Sequence, residues 1–433
     1  MARFAFYGDD FTGSVDALLQ FRRAGLSGVL ATSASATSAE LSAGGQDVVG
    51  IAGTARSLPT SDMADEVLPA LTRLQSLRPE LIQYKACSTV DSSPEIGSLG
   101  RVLELGNQKF GPGPIPLIFA QPDFGRYTFF GHHFARDGSE VYRLDRQPTM
   151  INHPITPATE SDLRVFLGRQ TDLPIGVLPW TAYDHPDAIA EALSGTDAPP
   201  SGTNAGLVCD AFTDQQLDLL ARMIMERRGG PGFLIGSGGI SGALGRTVAV
   251  GSLLPPLPTE AAAAVGPILV LSGSTSARTR EQVAKSGWRR LDLFADDVLQ
   301  RTLDLQSDGA DVIVSSTESS VSVAGDEIPA RLARIGDAWL RRSDHGRVII
   351  CGGDTSGNVL RRLGITTLGI AAQPWGNVCL CRGDGEAQHL RGIEFVLKGG
   401  QMGDADLLTR IKTGTGSEPT PGRGPEPVEG PDK

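Results

Sequence analysis

The chain has 433 residues, 40% hydrophobic and 21% charged, which supplies a sizeable core and excludes global disorder. A net charge of −11 with no Lys/Arg run argues against nucleic acid or an anionic membrane as partner. Five scattered cysteines exclude a disulfide framework, and no apolar run reaches the ~18 residues of a membrane span. The N-terminus lacks an apolar stretch of signal length, so a soluble cytoplasmic protein is expected.

The first predicted element is a strand, Arg3 to Tyr7, followed by the loop Gly8-Asp9-Asp10-Phe11-Thr12-Gly13. A helix is expected from Ser14 to Ala24, with Val15, Leu18, Leu19 and the stem of Arg22 on one face and Gly25 closing it. Asp9 and Asp10 thus sit where a parallel strand ends, the usual ligand edge of an open α/β sheet. Adjacent carboxylates raise at least one proton affinity. Such a group can accept a hydroxyl proton or bind a polyol; the plainer alternative is a helix cap beside a surface acid.

Short strands follow at Gly28–Thr32 and Val48–Ala52. Arg56, just after the second, could hold a carboxylate bidentately or simply be solvated. Ser61 to Leu77 reads as a helix, and Leu81 to Lys85 as a strand. The segment Lys85-Ala86-Cys87-Ser88-Thr89-Val90-Asp91 then offers Lys85, Ser88, Thr89 and Asp91, which suit an oxygen-rich anion such as a sugar acid. Ile115 to Ala120 is a further strand; His132 and His133 lack metal-site spacing and read as polar residues of this domain. Ser201–Val208, Asp214–Arg227 and Gly232–Ile235 continue the strand and helix alternation.

Pro255, Pro256 and Pro258 preclude regular structure, so residues 251–267 are expected to be a linker. This divides the chain into a substrate domain, 1–250, and a second domain, 268–412, with a disordered polar tail over 413–433. The expected fold is α/β, two domains, each a mostly parallel sheet flanked by helices. In the second domain three strands run into Gly/Ser turns that open helices. They are Ser272-Gly273-Ser274-Thr275-Ser276, Gly352-Gly353-Asp354-Thr355-Ser356-Gly357 and Lys398-Gly399-Gly400-Gln401-Met402-Gly403-Asp404. Glycines let backbone amides approach a ligand, and helix N-termini favour anions. Three such turns along one sheet edge make a phosphate cradle, with Ser272, Ser274, Gly352, Gly353, Asp354, Thr355, Gly400 and Gly403 as binding candidates. Cys379 and Cys381 are expected on alternate sides of one strand.

The cradle is not a Walker A loop, because Asn358-Val359 follow Gly357 where Lys-Ser/Thr is required. Gly236-Ser237-Gly238-Gly239-Ile240-Ser241-Gly242 misses the dinucleotide fingerprint, its third glycine falling one place late. That counts against an NAD-dependent oxidoreductase on a sugar acid; a non-catalytic nucleotide or sugar-acid sensor is the other alternative.

Taken in order, these motifs resemble the four-carbon acid sugar kinase family over nearly the whole chain. The opening Asp9-Asp10-Phe11-Thr12-Gly13 is similar to its Asp-Asp-x-Thr-Gly, and Gly352 to Gly357 matches its most specific motif. Where many members carry Lys-x-Asp-Ser-Thr-x-Arg-Gly, this chain has Cys87 for the aspartate and Asp91 for the arginine, which looks like the 3-oxo-tetronate or 3-oxo-isoapionate kinase branch. The resemblance implies an N-terminal sugar domain, a C-terminal nucleotide domain, and ATP with Mg²⁺ phosphorylating a terminal hydroxyl of a small acid sugar. It implies Asp10 or Asp9 as the residue acting on that hydroxyl. Asp10, Arg56, Lys85, Ser88, Thr89 and Asp91 are then the substrate contacts. Metal ligands are unassigned, and homo-oligomerisation stays open.

Overall fold

The computed structural model describes residues 2–36, 41, 45–111, 113–194, 204–227, 232–248, 253–316, 326–343 and 346–416. Strands of the N-terminal half are β1 (Phe4–Gly8), β2 (Gly28–Ala31), β3 (Val48–Ala52), β4 (Leu81–Lys85), β5 (Ile115–Ile118), β6 (Arg126–Phe129), β7 (His132–Asp137), β8 (Glu140–Arg143), β9 (Ile175–Leu178), β10 (Gly206–Cys209) and β11 (Phe233–Gly236). Those of the C-terminal half are β12 (Leu269–Ser272), β13 (Arg289–Asp292), β14 (Val312–Ser315), β15 (Arg347–Cys351), β16 (Ile365–Trp375), β17 (Val378–Gly385) and β18 (Ile393–Lys398). β1, β3, β4 and β15 are buried along their whole length. Continuous burial of this kind, mostly of apolar residues, is what a parallel strand covered on both faces requires.

Each half is a mostly parallel sheet, as expected, but the two halves are not separate sheets. Strands run β13-β14-β12-β15-β18-β17-β16-β2-β3-β1-β4-β11-β5-β10-β9 in one sheet of 15. The join is an antiparallel pairing of β16 with β2, Thr367 opposite Ala31 and Leu368 opposite Leu30. β16 and β17 form an antiparallel hairpin between the join and the parallel strands of the second half. A separate three-stranded sheet, β6-β7-β8, flanks the first half.

The register puts the candidate loops side by side. Gly8, which ends β1, lies opposite Ala52 of β3 and Lys85 of β4. Ser272 lies opposite Cys351, and Cys351 opposite Lys398. The loops carrying Asp9, Arg56 and Lys85 therefore leave one edge together, and the three Gly/Ser turns of the second half do the same.

Several boundaries move. The first helix runs Phe11–Arg23, starting three residues early because Asp10 caps it: its side chain accepts from Gly13 N at 2.8 Å. The second runs Met63–Ser76. The last runs Leu407–Thr413, so Thr413 is helical rather than tail, and Trp375 Nε1 donates to Thr415 O at 3.0 Å. The rest of the expected tail, 417–433, lies outside the described residues, as do 201–203 and linker residues 251–252. From Leu253 the linker is irregular, as the prolines dictate, and is fastened at both ends. Leu254 N donates to Gly25 O at 2.6 Å, and Ala264 N to Lys412 O at 2.9 Å. Cys379 and Cys381 share a face, their sulfurs 3.8 Å apart, because side chains two residues apart in a strand point the same way.

The near-fingerprint around Gly236 has a packing role. A Cβ on Gly239 would lie 2.2 Å from Ala120 O, one on Gly238 2.3 Å from Asp16 Oδ2, and one on Gly245 2.6 Å from Ala24 Cβ. Gly238 and Gly245 let the helix Gly238–Arg246 press against the helix Phe11–Arg23, and Gly239 lets it approach the backbone that follows β5.

Candidate active site

A cleft of about 570 Å³ opens where the two halves meet. Asp10, Arg56, Lys85 and Ser88 line it from the first half, and Gln401, Met402, Gly403 and Asp404 from the second. Thr12 joins the two sides. A Cβ on Gly353 would lie 3.3 Å from Thr12 Oγ1, and one on Gly399 3.8 Å from Thr12 Cγ2. The acidic loop and two of the Gly-rich turns are thus neighbours.

On the first side the charges interlock. Arg56 Nη2 lies 2.7 Å from Asp9 Oδ1 and 2.9 Å from Asp10 Oδ1, and Arg56 Nε donates to Asp9 Oδ2 at 3.3 Å. Burial opposes charge on Arg56, but Asp10 and Asp9 outweigh it and hold its pKa well above the usual value. Asp9 is only 2% exposed and does not line the cleft. Burial pushes its pKa up to about 6; Arg56 pulls it down and Asp10 pushes it up. The two aspartates therefore differ in role: Asp9 orients Arg56 from behind, and Asp10 faces the cleft.

Lys85 Nζ donates to Ala86 O at 3.1 Å and lies 3.7 Å from Asp16 Oδ2. Asp16 is a cleft residue that the sequence reading missed. Its signal was the polar stripe Asp16, Gln20 and Arg23, spaced four and seven residues along one helix face. Gln20 Nε2 donates to Asp16 Oδ1 at 3.1 Å, and Gln121 Nε2 to Asp16 Oδ2 at 3.4 Å.

The segment after Lys85 divides. Cys87 and Ser88 face the cleft, whereas Thr89 and Asp91 do not line it. Thr89 Oγ1 pairs with Cys87 Sγ at 3.0 Å, and Asp91 accepts from Thr156 Oγ1 with His153 Nδ1 3.9 Å away. The turn between them carries Val90 at φ 55°, a strained conformation for a β-branched residue. His133 braces this turn as a fully buried neutral ring. Its Nε2 lies 2.8 Å from Ser88 O and its Nδ1 3.0 Å from Thr128 Oγ1, and burial lowers its pKa to about 4.

On the second side the three turns converge. A Cβ on Gly273 would lie 2.5 Å from Thr355 Oγ1, one on Gly352 2.9 Å from that atom, and one on Gly400 3.0 Å from Ser274 Oγ. Gly352 takes φ 120°, which a residue with a side chain adopts only under strain. Gly403, at φ 80°, turns the third loop towards the helix Leu407–Thr413. Thr279 Oγ1 lies 3.2 Å from Ser274 Oγ. Ser272 Oγ is buried without a hydrogen-bond partner among the described residues. A tight glycine cradle beside an unsatisfied hydroxyl fits a phosphate ligand. Asp354 falls in the first turn of the helix Gly353–Leu363; its side chain lies outside the described residues.

Two family models match the chain, one after the other. A sugar-binding N-terminal domain family matches residues 4–244, and a nucleotide-binding C-terminal domain family matches residues 269–408. The 3-oxo-isoapionate kinase of Paraburkholderia graminis is 33% identical, over 95% of this chain and 94% of that one. The chain belongs to the four-carbon acid sugar kinase family. A 3-oxo-tetronate kinase of Pseudomonas savastanoi pv. phaseolicola is 30% identical over 93% of this acid sugar kinase and 95% of its own length. A crystal structure from Salmonella typhimurium LT2 shares the fold at TM-score 0.78 and 24% identity, covering 95% of this chain and 98% of that one. The acid sugar kinase is thus an enzyme whose family acts by phosphoryl transfer, and the oxidoreductase and sensor readings are not favoured. Among its described residues no helix is long and apolar enough to cross a membrane.

Proposed function

We propose that the chain transfers the terminal phosphoryl group of ATP to a hydroxyl of a small 3-oxo acid sugar, four-carbon or branched, and that Asp10 accepts the hydroxyl proton. The observation that carries this reading is the shared cleft: Asp10 and the third glycine turn, through Gln401 to Asp404, line one space, and Thr12 lies in contact range of Gly353 and Gly399. Phosphoryl transfer depends on positioning and charge neutralisation more than on covalent chemistry, and the arrangement supplies both.

Asp10 Oδ1 is committed to Gly13 N and Arg56. Its Oδ2 is left for the sugar hydroxyl. The proton moves to Oδ2 as the hydroxyl oxygen bonds to the γ-phosphorus, and the bond from that phosphorus to the β-bridging oxygen breaks, releasing ADP. Lys85 and Ser88 hold the carboxylate end, because the Lys85–Asp16 contact at 3.7 Å leaves that ammonium only loosely paired. Arg56 contributes mainly by fixing Asp10, since both aspartates already match its charge. Asp9 supports Arg56, and Thr89 and Asp91 keep the Ser88 turn in shape. Ser272, Ser274, Thr355 and the glycines at 352, 353, 400 and 403 receive the phosphates. Among the described residues Asp404 is the carboxylate on the nucleotide wall of the cleft and would help to hold Mg²⁺, which would supply charge neutralisation for the phosphates. ADP formation from MgATP, followed across a panel of 3-oxo and reduced acid sugars, tests the proposal. Turnover with a 3-oxo acid sugar is expected; no acid-sugar-dependent ADP would overturn it.

A further inference from the structure

Lys398 ends β18 and is only 1% exposed, yet it has no carboxylate partner among the described residues. Its Nζ donates to Thr279 Oγ1 at 2.8 Å, Gly399 O at 3.1 Å and Gly400 O at 3.4 Å. Gly400 O also accepts from Ser276 Oγ at 2.5 Å and Thr279 Oγ1 at 3.0 Å. Gly399 O accepts a further bond from Met402 N at 3.2 Å. Two successive carbonyls are therefore drawn inward towards one buried ammonium.

The consequence lies on the other side of each peptide plane. In a trans peptide the C=O and the following N–H point in opposite directions, and no cis peptide occurs among the described residues. With the carbonyls of Gly399 and Gly400 turned in, the N–H groups of Gly400 and Gln401 are turned out. Neither amide donates to a protein acceptor among the described residues. Gln401 lines the cleft that Asp10 also lines. Two consecutive outward amides form an anion-binding concavity. A buried cation behind them strengthens it, because charge is poorly screened there.

We infer that Lys398, acting with Ser276 and Thr279, holds the Gly399–Gln401 backbone as a charged nest for the terminal phosphates of the nucleotide. Lys398 is a positioning residue: it acts through the loop amides and through its charge, without touching the ligand. Burial keeps its pKa below the usual lysine value, so an arriving anion supplies the counter-charge that the protein lacks. The inference rests on the second half binding a nucleotide.

Titration calorimetry on the full chain, with ATP, ADP, AMP and adenosine and without acid sugar, separates the two claims. The wild-type protein should bind ATP and ADP more tightly than AMP or adenosine; binding of none of the four overturns the nucleotide reading and this inference with it. Lys398→Met removes the charge at similar volume. It should weaken ATP and ADP by about ten- to a hundredfold, the usual loss for hydrogen bonding to a charged group, while AMP and adenosine stay within a few-fold. Thr279→Val, which removes the hydroxyl between Lys398 and Gly400, should repeat the pattern in smaller size and serves if Lys398→Met does not fold. An equal loss for all four ligands would mean a general collapse of the loop, and no loss for ATP would mean that the charge is irrelevant; either result overturns the inference.

Discussion

Replacing Asp10 by Asn tests the acid sugar kinase mechanism at one atom. Asn keeps the size of the side chain and an Oδ1 acceptor for Gly13 N, now at 2.8 Å. Asn caps helices about as well as Asp, so the cost to folding should stay below about 1 kcal/mol. Arg56 keeps its closer partner, Asp9, at 2.7 Å. What Asn lacks is a site for the proton. Loss of a general base slows the reaction by about 10²–10⁴, or roughly 3–5 kcal/mol of barrier at ~1.4 kcal/mol per decade. The assay is steady-state ADP release with saturating MgATP and acid sugar, beside a thermal melt and an ATP titration. The expectation is a kcat lower by that range, an unchanged melt and an unchanged ATP affinity. A kcat within about threefold of wild type would refute Asp10 as the base. A parallel collapse of ATP affinity would show instead that the substitution disturbs the whole cleft.

Asp9 gives a pH prediction. Its pKa is about 6 in the fold against ~3.9 unfolded, so between those values the folded state holds the extra proton. Its contribution to stability therefore falls as pH rises from about 4 to about 6, by on the order of 3 kcal/mol, and Asp9→Asn should remove that slope from chemical-denaturation curves. Below about pH 6 Arg56 also loses one of its two carboxylate partners, so kcat/KM should decline there in the wild type; Asp9→Asn should lack this limb. Gly353→Val places branched carbon 3.3 Å from Thr12 Oγ1, in the space between the cradle and the acidic loop. ATP affinity should fall at least about tenfold with little change in melting temperature, because the added bulk meets ligand rather than core.

Much of this site was readable in the chain itself because its parts are local. An aromatic-rich strand running into Gly-Asp-Asp, or a β-branched one running into Gly-Gly-Asp-Thr-Ser-Gly, points to both the sheet edge and the ligand chemistry within a dozen residues. Where residues act through tertiary contact, the sequence was silent. Asp16 reads as an ordinary helix position until Lys85 of β4 and Gln121 are brought beside it. The β16–β2 pairing depends on two edges meeting 333 or more residues apart, and no local pattern encodes that register. Thr89 and Asp91 failed to reach the cleft for a conformational reason. The positive φ of Val90 reverses the chain just after Ser88, and composition alone does not reveal a strained turn. The ranking of Asp9 and Asp10 likewise needed burial: identical side chains one residue apart separate only when the fold encloses one and opens the other.

The acidic loop and the glycine turns are proposed to serve one transfer reaction across one cleft. Incubation with ATP carrying a label in its terminal phosphate, together with a 3-oxo acid sugar, tests that proposal most directly. Label should appear on the sugar as a phosphate ester in step with ADP, and Asp10→Asn should slow that transfer by about 10²–10⁴ while nucleotide still binds. Label recovered only as inorganic phosphate, or transfer undiminished in Asp10→Asn, would contradict it.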